Sequence, residues 1–161
     1  MMQKLFGFMI LALLAVPGSA LAKDSPVLAT YHTDNCCLPP EFAHEINVTI
    51  LQDGTLTLVR CEQYATEGPG CKTRRAMLTE DAMVAIRAAA EASGLAIDPA
   101  SRAPGDEIPI GGGSTSGTVV LDGVEIVLLP FPVTEDAERV RSVLSAIRGA
   151  IPARLNRFIE E

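Results

Sequence analysis

The stretch EINVTILQDGTLTLVRCE, residues 45–62, decides the fold. Apolar and polar side chains alternate on both sides of Asp53-Gly54, which is typical of two half-buried strands joined by a hairpin turn. A three-residue loop that ends at Gly54 would pair Ile50 with Leu56 and gather the apolar side chains on one face. A two-residue loop would mix the faces, because a slip of one residue turns every side chain over. The pattern therefore predicts an antiparallel hairpin with a three-residue loop.

A third strand and a helix are predicted after this hairpin. Residues 71–77 follow a glycine-rich turn and are expected to return alongside the hairpin. Thr79 is followed by two acidic residues and by apolar residues at helical spacing, which indicates a capped helix over residues 80–93. Gly94 provides the left-handed residue at which such a helix ends.

The second half of the chain repeats this order. Val119–Leu129 forms a second hairpin around Asp122-Gly123, and Thr134 opens a second helix that ends at Gly149. The sequence thus predicts an α+β fold: an antiparallel sheet of four to six strands, built from two Asp-Gly hairpins, with two main helices packed on one face. A further short helix is expected near residues 155–159, and the hairpin–helix order suggests a possible pseudo-repeat.

Residues 99–116 form the predicted connection between the halves. Connections of this length are often functional or flexible. Its glycine-rich end, 111–117, is not a phosphate-binding loop, because no lysine follows it. It is not a nucleophile elbow either, because Thr115 stands where that motif needs serine. No catalytic residue is assigned, and the sequence favours a protein that is not an enzyme.

Residues 1–22 have the pattern of a cleavable signal peptide. Lys4 precedes the apolar run Leu5–Val16, and Ala20-Leu21-Ala22 offers small residues for a signal peptidase. The run is too short to cross a bilayer as a helix, which takes about 20 residues. We predict cleavage near Ala22, a single disulfide-stabilised α+β domain over residues 23–161, and a periplasmic or secreted location.

The charge balance excludes some partners. The chain has 13 Lys and Arg against 20 Asp and Glu; Lys4 is the one charged residue of the leader, so the mature chain has 12 against 20, a formal net charge of −8. This balance opposes nucleic acids and anionic lipids, both of which require basic surfaces. No second long apolar run predicts membrane insertion of the mature chain. The expected partner is a protein or a small envelope component, bound without a cofactor.

The four cysteines are expected to form disulfides, because their number is even and the predicted location is oxidising. A bridge between Cys36 and Cys37 would close a strained ring across one peptide bond. This leaves Cys36 and Cys37 each to pair with one of Cys61 and Cys71, in either order.

An alternative is a metal-binding or thiol-based protein. His32, Cys36, Cys37 and His44 lie close together in the sequence with Asp34 among them, and imidazole and thiolate are ligands that zinc and copper prefer. Against this, adjacent cysteines in an extended chain point in opposite directions, and the chain has no Cys-x-x-Cys motif. No metal site is therefore assigned, and these four residues remain the candidates of the alternative.

Overall fold

The computed structural model describes residues 25–35, 38–105, 108 and 113–160. They form an open antiparallel sheet of six strands together with three helices, so the α+β class is confirmed. The elements are β1 (Val27–Asp34), β2 (His44–Leu51), β3 (Thr55–Glu62), β4 (Cys71–Met77), α1 (Glu80–Ser93), β5 (Ser114–Leu121), β6 (Val124–Leu128), α2 (Thr134–Ala150) and α3 (Ala153–Glu160). The predicted signal peptide, Cys36 and Cys37 lie outside the described residues.

The strand order is β4-β3-β2-β1-β5-β6, and each neighbouring pair is antiparallel. The hairpin of β2 and β3 pairs Ile50 with Leu56 and turns through Gly54, which has a left-handed φ of 86°. The centre of the sheet is β1, although no strand is predicted there from the sequence. Because β1 bonds to β2 on one side and to β5 on the other, it joins the two halves of the chain.

The two faces of the sheet differ in character. The core face carries the buried apolar side chains of the strands, among them Val48, Leu58, Val119 and Leu128. Buried residues of all three helices belong to the same core, including Ile86 of α1, Val140, Val143 and Ile147 of α2 and Leu155 of α3. The opposite face, called the outer face below, carries Thr57, Thr49, Thr30 and Thr118 in one row across four strands.

The two long helices begin differently. The Thr79 side chain accepts a hydrogen bond from Ala82 N (3.3 Å) and Gly94 has a φ of 68°, so the predicted bounds of α1 are confirmed. Thr134, in contrast, lies inside α2, and Val133 precedes the helix without a side-chain cap. In the part of the chain that the structure describes, no helix is long and apolar enough to cross a membrane.

The predicted connection 99–116 is too long at its carboxyl end, because β5 begins at Ser114. The first residues of β5 are small and polar and have the composition of a loop. They nevertheless pair with the carboxyl-terminal half of β1. Gly117 is required there, since a Cβ atom would lie 2.3 Å from the Thr30 carbonyl oxygen. The first part of the connection is fixed as well: Ala103 N donates to Phe131 O (2.9 Å).

Candidate functional site

The described cysteines correct the expected disulfide pattern. Cys61 is bonded to Cys71, with 4.0 Å between their Cα atoms. The two residues lie directly opposite each other in β3 and β4, where cross-strand Cβ atoms are close enough for a bridge. The expected pairing of Cys61 and Cys71 with Cys36 and Cys37 is therefore wrong. The register of β3 and β4 places Cys61 and Cys71 opposite each other, so that they bond to one another. Cys36 and Cys37 lie outside the described residues.

A polar cluster occupies the outer face where β1, β2 and β5 meet. His32 is its centre: Nδ1 lies 2.9 Å from Asn47 Oδ1, and Nε2 lies 3.2 Å from Asp34 Oδ2. Ser114 Oγ donates to the same Asp34 oxygen (2.5 Å), and Asn47 Nδ2 donates to Glu45 Oε1 (2.5 Å). Strand pairing builds this network, because His32 lies opposite Asn47 on one side and Asp34 lies opposite Ser114 on the other.

His44 lies at the edge of the same cluster. Asn35 Nδ2 donates to His44 Nδ1 (2.7 Å), and Asn35 Oδ1 accepts from the His44 amide (2.6 Å). His32, His44 and Tyr64 are among the residues that border a hollow of about 170 Å³. The structure thus brings both predicted histidines to one place.

This arrangement does not form an acyl-transfer triad. In a triad the histidine accepts the proton of the nucleophilic hydroxyl, whereas here the Ser114 hydroxyl donates to Asp34. Both ring nitrogens of His32 already have a hydrogen-bond partner, Asn47 on one side and Asp34 on the other. Among the described residues, no group of three or more His, Cys, Asp and Glu side chains is placed to hold a metal ion.

A larger groove of about 600 Å³ opens between α2 and the core face of the sheet. One wall is a single stripe of α2 with helical spacing, Ala137, Val140, Arg141, Leu144, Ser145 and Arg148. Leu129, Pro130 and Pro132 form a second apolar wall in the segment that joins β6 to α2. Ligand sites usually have volumes of about 300–1,000 Å³ and apolar walls with a few polar groups. The groove fits this description.

Tyr31 lines the groove from the centre of the sheet. Tyr31 is 9% exposed as a whole residue, and its hydroxyl is not a buried polar atom without a partner; among the described residues, that is found only for Arg60 Nε. Gly117 contributes no side chain between Tyr31 and Leu128, which are its two neighbours across the sheet. Since Tyr31 lines the groove, its hydroxyl can bond to water or to a ligand there.

Sequence reasoning predicts the buried residues of α2 but not the groove. Val140 and Leu144 recur at helical spacing, which is typical of a core stripe, and the signal that they also form a wall is Arg141 and Arg148 beside that stripe. Tyr31 could not be found, because its strand is not predicted.

Two comparisons with known proteins bear on this site. The scan against protein-family models gives no match, and the search of the curated proteins gives no significant match.

Proposed function

We propose that this protein is an exported, non-catalytic binding domain, and that the groove between α2 and the sheet is its ligand site. The observation that carries this proposal is the groove itself, a hollow of about 600 Å³ with apolar walls on α2 and on the segment before it, and with Tyr31 on its lining. A ligand oxygen or nitrogen that reaches the Tyr31 hydroxyl could exchange a hydrogen bond with it. The apolar walls would bury the rest of the ligand.

The experiment is a binding measurement with small amphiphiles of different charge. Octanol, octanoate and octylamine are titrated into the mature protein by isothermal calorimetry, and chemical-shift changes locate the contact. We expect at least one of them to bind with a stoichiometry of one and to shift Tyr31, Val140 and Leu144. Ala137→Trp should fill the groove and abolish binding, whereas Ala88→Trp, on the exposed side of α1, should leave it intact.

Two results would overturn the proposal. One is the absence of saturable binding by all three probes to a folded protein. The other is binding that Ala137→Trp leaves unchanged, since this would place the ligand elsewhere.

Export is part of the proposal. The Cys61–Cys71 disulfide is compatible with an oxidising location, and the leader pattern of residues 1–22 supports cleavage near Ala22. We propose that residues 23–161 form the mature domain, in the periplasm or outside the cell. Amino-terminal sequencing of the protein recovered from the medium or periplasm should begin at Lys23, and a chain that still begins at Met1 would contradict export by cleavage.

The alternative function remains a metal-binding or thiol-based protein that uses His32, Cys36, Cys37 and His44. The observation in its favour is that both histidines border the same hollow. Mass spectrometry without reductant, combined with metal analysis, separates the two functions. Free thiols with bound zinc or copper would support the alternative, and a second disulfide between Cys36 or Cys37 and another thiol would exclude the metal-thiolate site.

The hairpin–helix duplication is also kept as a proposal. β4 stands between the first hairpin and α1, whereas α2 follows β6 after a short segment. The test is a superposition of β2, β3 and α1 on β5, β6 and α2. If the unit is duplicated, α1 and α2 should have the same orientation relative to their hairpins.

A further inference from the structure

We infer that the groove takes an organic anion, a carboxylate head on an apolar body of about the size of a medium-chain fatty acid. This inference rests on the proposed function and adds the chemical class of the ligand. Four observations lead to it: the charge of the lining, the position of the two arginines on α2, the Tyr31 hydroxyl and the apolar walls.

The lining has a charge opposite to that of the chain. Acidic side chains outnumber basic ones by 20 to 13 in the whole sequence. Among the described residues, in contrast, the charged side chains that line the groove are Arg141 and Arg148. A local positive potential in an acidic protein attracts anions to this one place and disfavours cations there. The lining therefore selects against an amine ligand.

The two arginines are placed to meet a ligand head from the same wall. They lie seven residues apart on α2, with Leu144 between them, so both side chains follow one side of the helix. Arg148 Nη1 donates to Asn156 Oδ1 (2.8 Å). Arg141 is paired with Glu138 at 3.0 Å, and both side chains are more than two-thirds exposed. Exposed pairs of this kind are weak, so a carboxylate can replace Glu138 at Arg141.

The neutral polar groups of the groove lining can also bind a ligand head group that carries oxygen atoms. The Tyr31 hydroxyl can donate to a carboxylate oxygen. The Thr115 hydroxyl, on the same lining, is hydrogen-bonded to the Thr33 hydroxyl (3.1 Å). An arginine fork and a phenol hydroxyl together match the two oxygens of a carboxylate. Leu129, Pro130 and Leu144 then offer apolar surface to an alkyl or ring body.

The test uses three probes of equal length and different head, octanoate, octanol and octylamine, at neutral pH. We expect octanoate to bind about tenfold or more tightly than octanol, because a hydrogen bond to a charged group contributes about that factor. Octylamine should bind more weakly than octanol. If octanol binds as tightly as octanoate, the anion inference fails while the groove remains a ligand site; if none binds, both proposals fail.

Substitutions in the groove then identify the residues that bind the ligand head group. Arg141→Gln with Arg148→Gln should abolish the preference of octanoate over octanol. Arg75→Gln, which removes an exposed charge from the far edge strand, is the control and should keep the preference. Tyr31→Phe should weaken octanoate binding several-fold with an unchanged unfolding midpoint. A preference that survives the double arginine change would overturn the inference.

Discussion

Asp136 joins two segments of the chain through one carboxyl group. Its Oδ2 accepts from the Ser101 amide (2.7 Å), and its Oδ1 accepts from Arg139 Nη2 (2.5 Å), which also reaches Asp98. As an acidic residue in the first turn of α2, Asp136 also favours the helix dipole. Its contact with Ser101 could not be predicted, because it joins a helical residue to an irregular segment 35 positions away in the sequence.

We predict that Asp136 makes the protein sensitive to acid. The hydrogen bond from Arg139, followed by that from Ser101, lowers the pKa of Asp136 below its ordinary value of 3.8. A carboxyl group with a lowered folded pKa contributes stability above its unfolded pKa and loses this contribution as the pH falls through the folded pKa. Urea unfolding between pH 5 and pH 2 should therefore show a smaller loss of stability for Asp136→Asn than for the natural chain. Equal losses in both proteins would contradict the prediction.

The residues of the candidate site differ in how well the sequence predicts them. His32 and His44 are candidates from the sequence, and the structure places both beside one hollow. Cys61 and Cys71 are expected in disulfides but with other partners. Chain spacing cannot select a partner, because the choice depends on which strands are neighbours and in which register.

At the scale of elements, the two long helices test one capping argument. We predict that Thr79→Ala destabilises the protein by about 1 kcal/mol, because the Thr79 hydroxyl accepts the Ala82 amide at the start of α1. Thr134→Ala is the matched control, since Thr134 lies within α2, which has no side-chain cap. Its effect should be within about 0.5 kcal/mol of zero, as for most exposed positions. Urea unfolding of the two variants checks this, and equal effects would count against it.

Elements with local signals could be predicted, and those that depend on their neighbours could not. α1 has a cap, an apolar stripe and a glycine stop, and its bounds are found from the sequence. β1 shows only short alternation, and the first residues of β5 are serine, threonine and glycine. Each becomes a strand by pairing with the other, which no local pattern records. The antiparallel class is predictable because it follows from the hairpins.

For the whole molecule, the Cys61–Cys71 bridge sets part of the stability. The two cysteines are 10 residues apart, and a ring of this size contributes about 2–3 kcal/mol by limiting the unfolded chain. We predict that replacing both with alanine lowers the free energy of unfolding by this amount. Chemical denaturation checks it, with peptide mapping to show that residues 61 and 71 are joined in the natural chain. A loss below about 0.5 kcal/mol, or a map with other partners, would contradict the prediction.

Because of the same bridge, the backbone can be cleaved within residues 63–70 without separating the two flanking strands. Gln63 and Tyr64 have left-handed φ angles of 57° and 60°, and the short 3-10 turn Gly68–Gly70 leads back to Cys71. A protease that cuts here produces two fragments that stay linked, so a gel shows one band without reductant and two with it. The loop is accordingly a suitable position for an inserted epitope or fluorescent label, since both flanking strands remain held at the sheet edge.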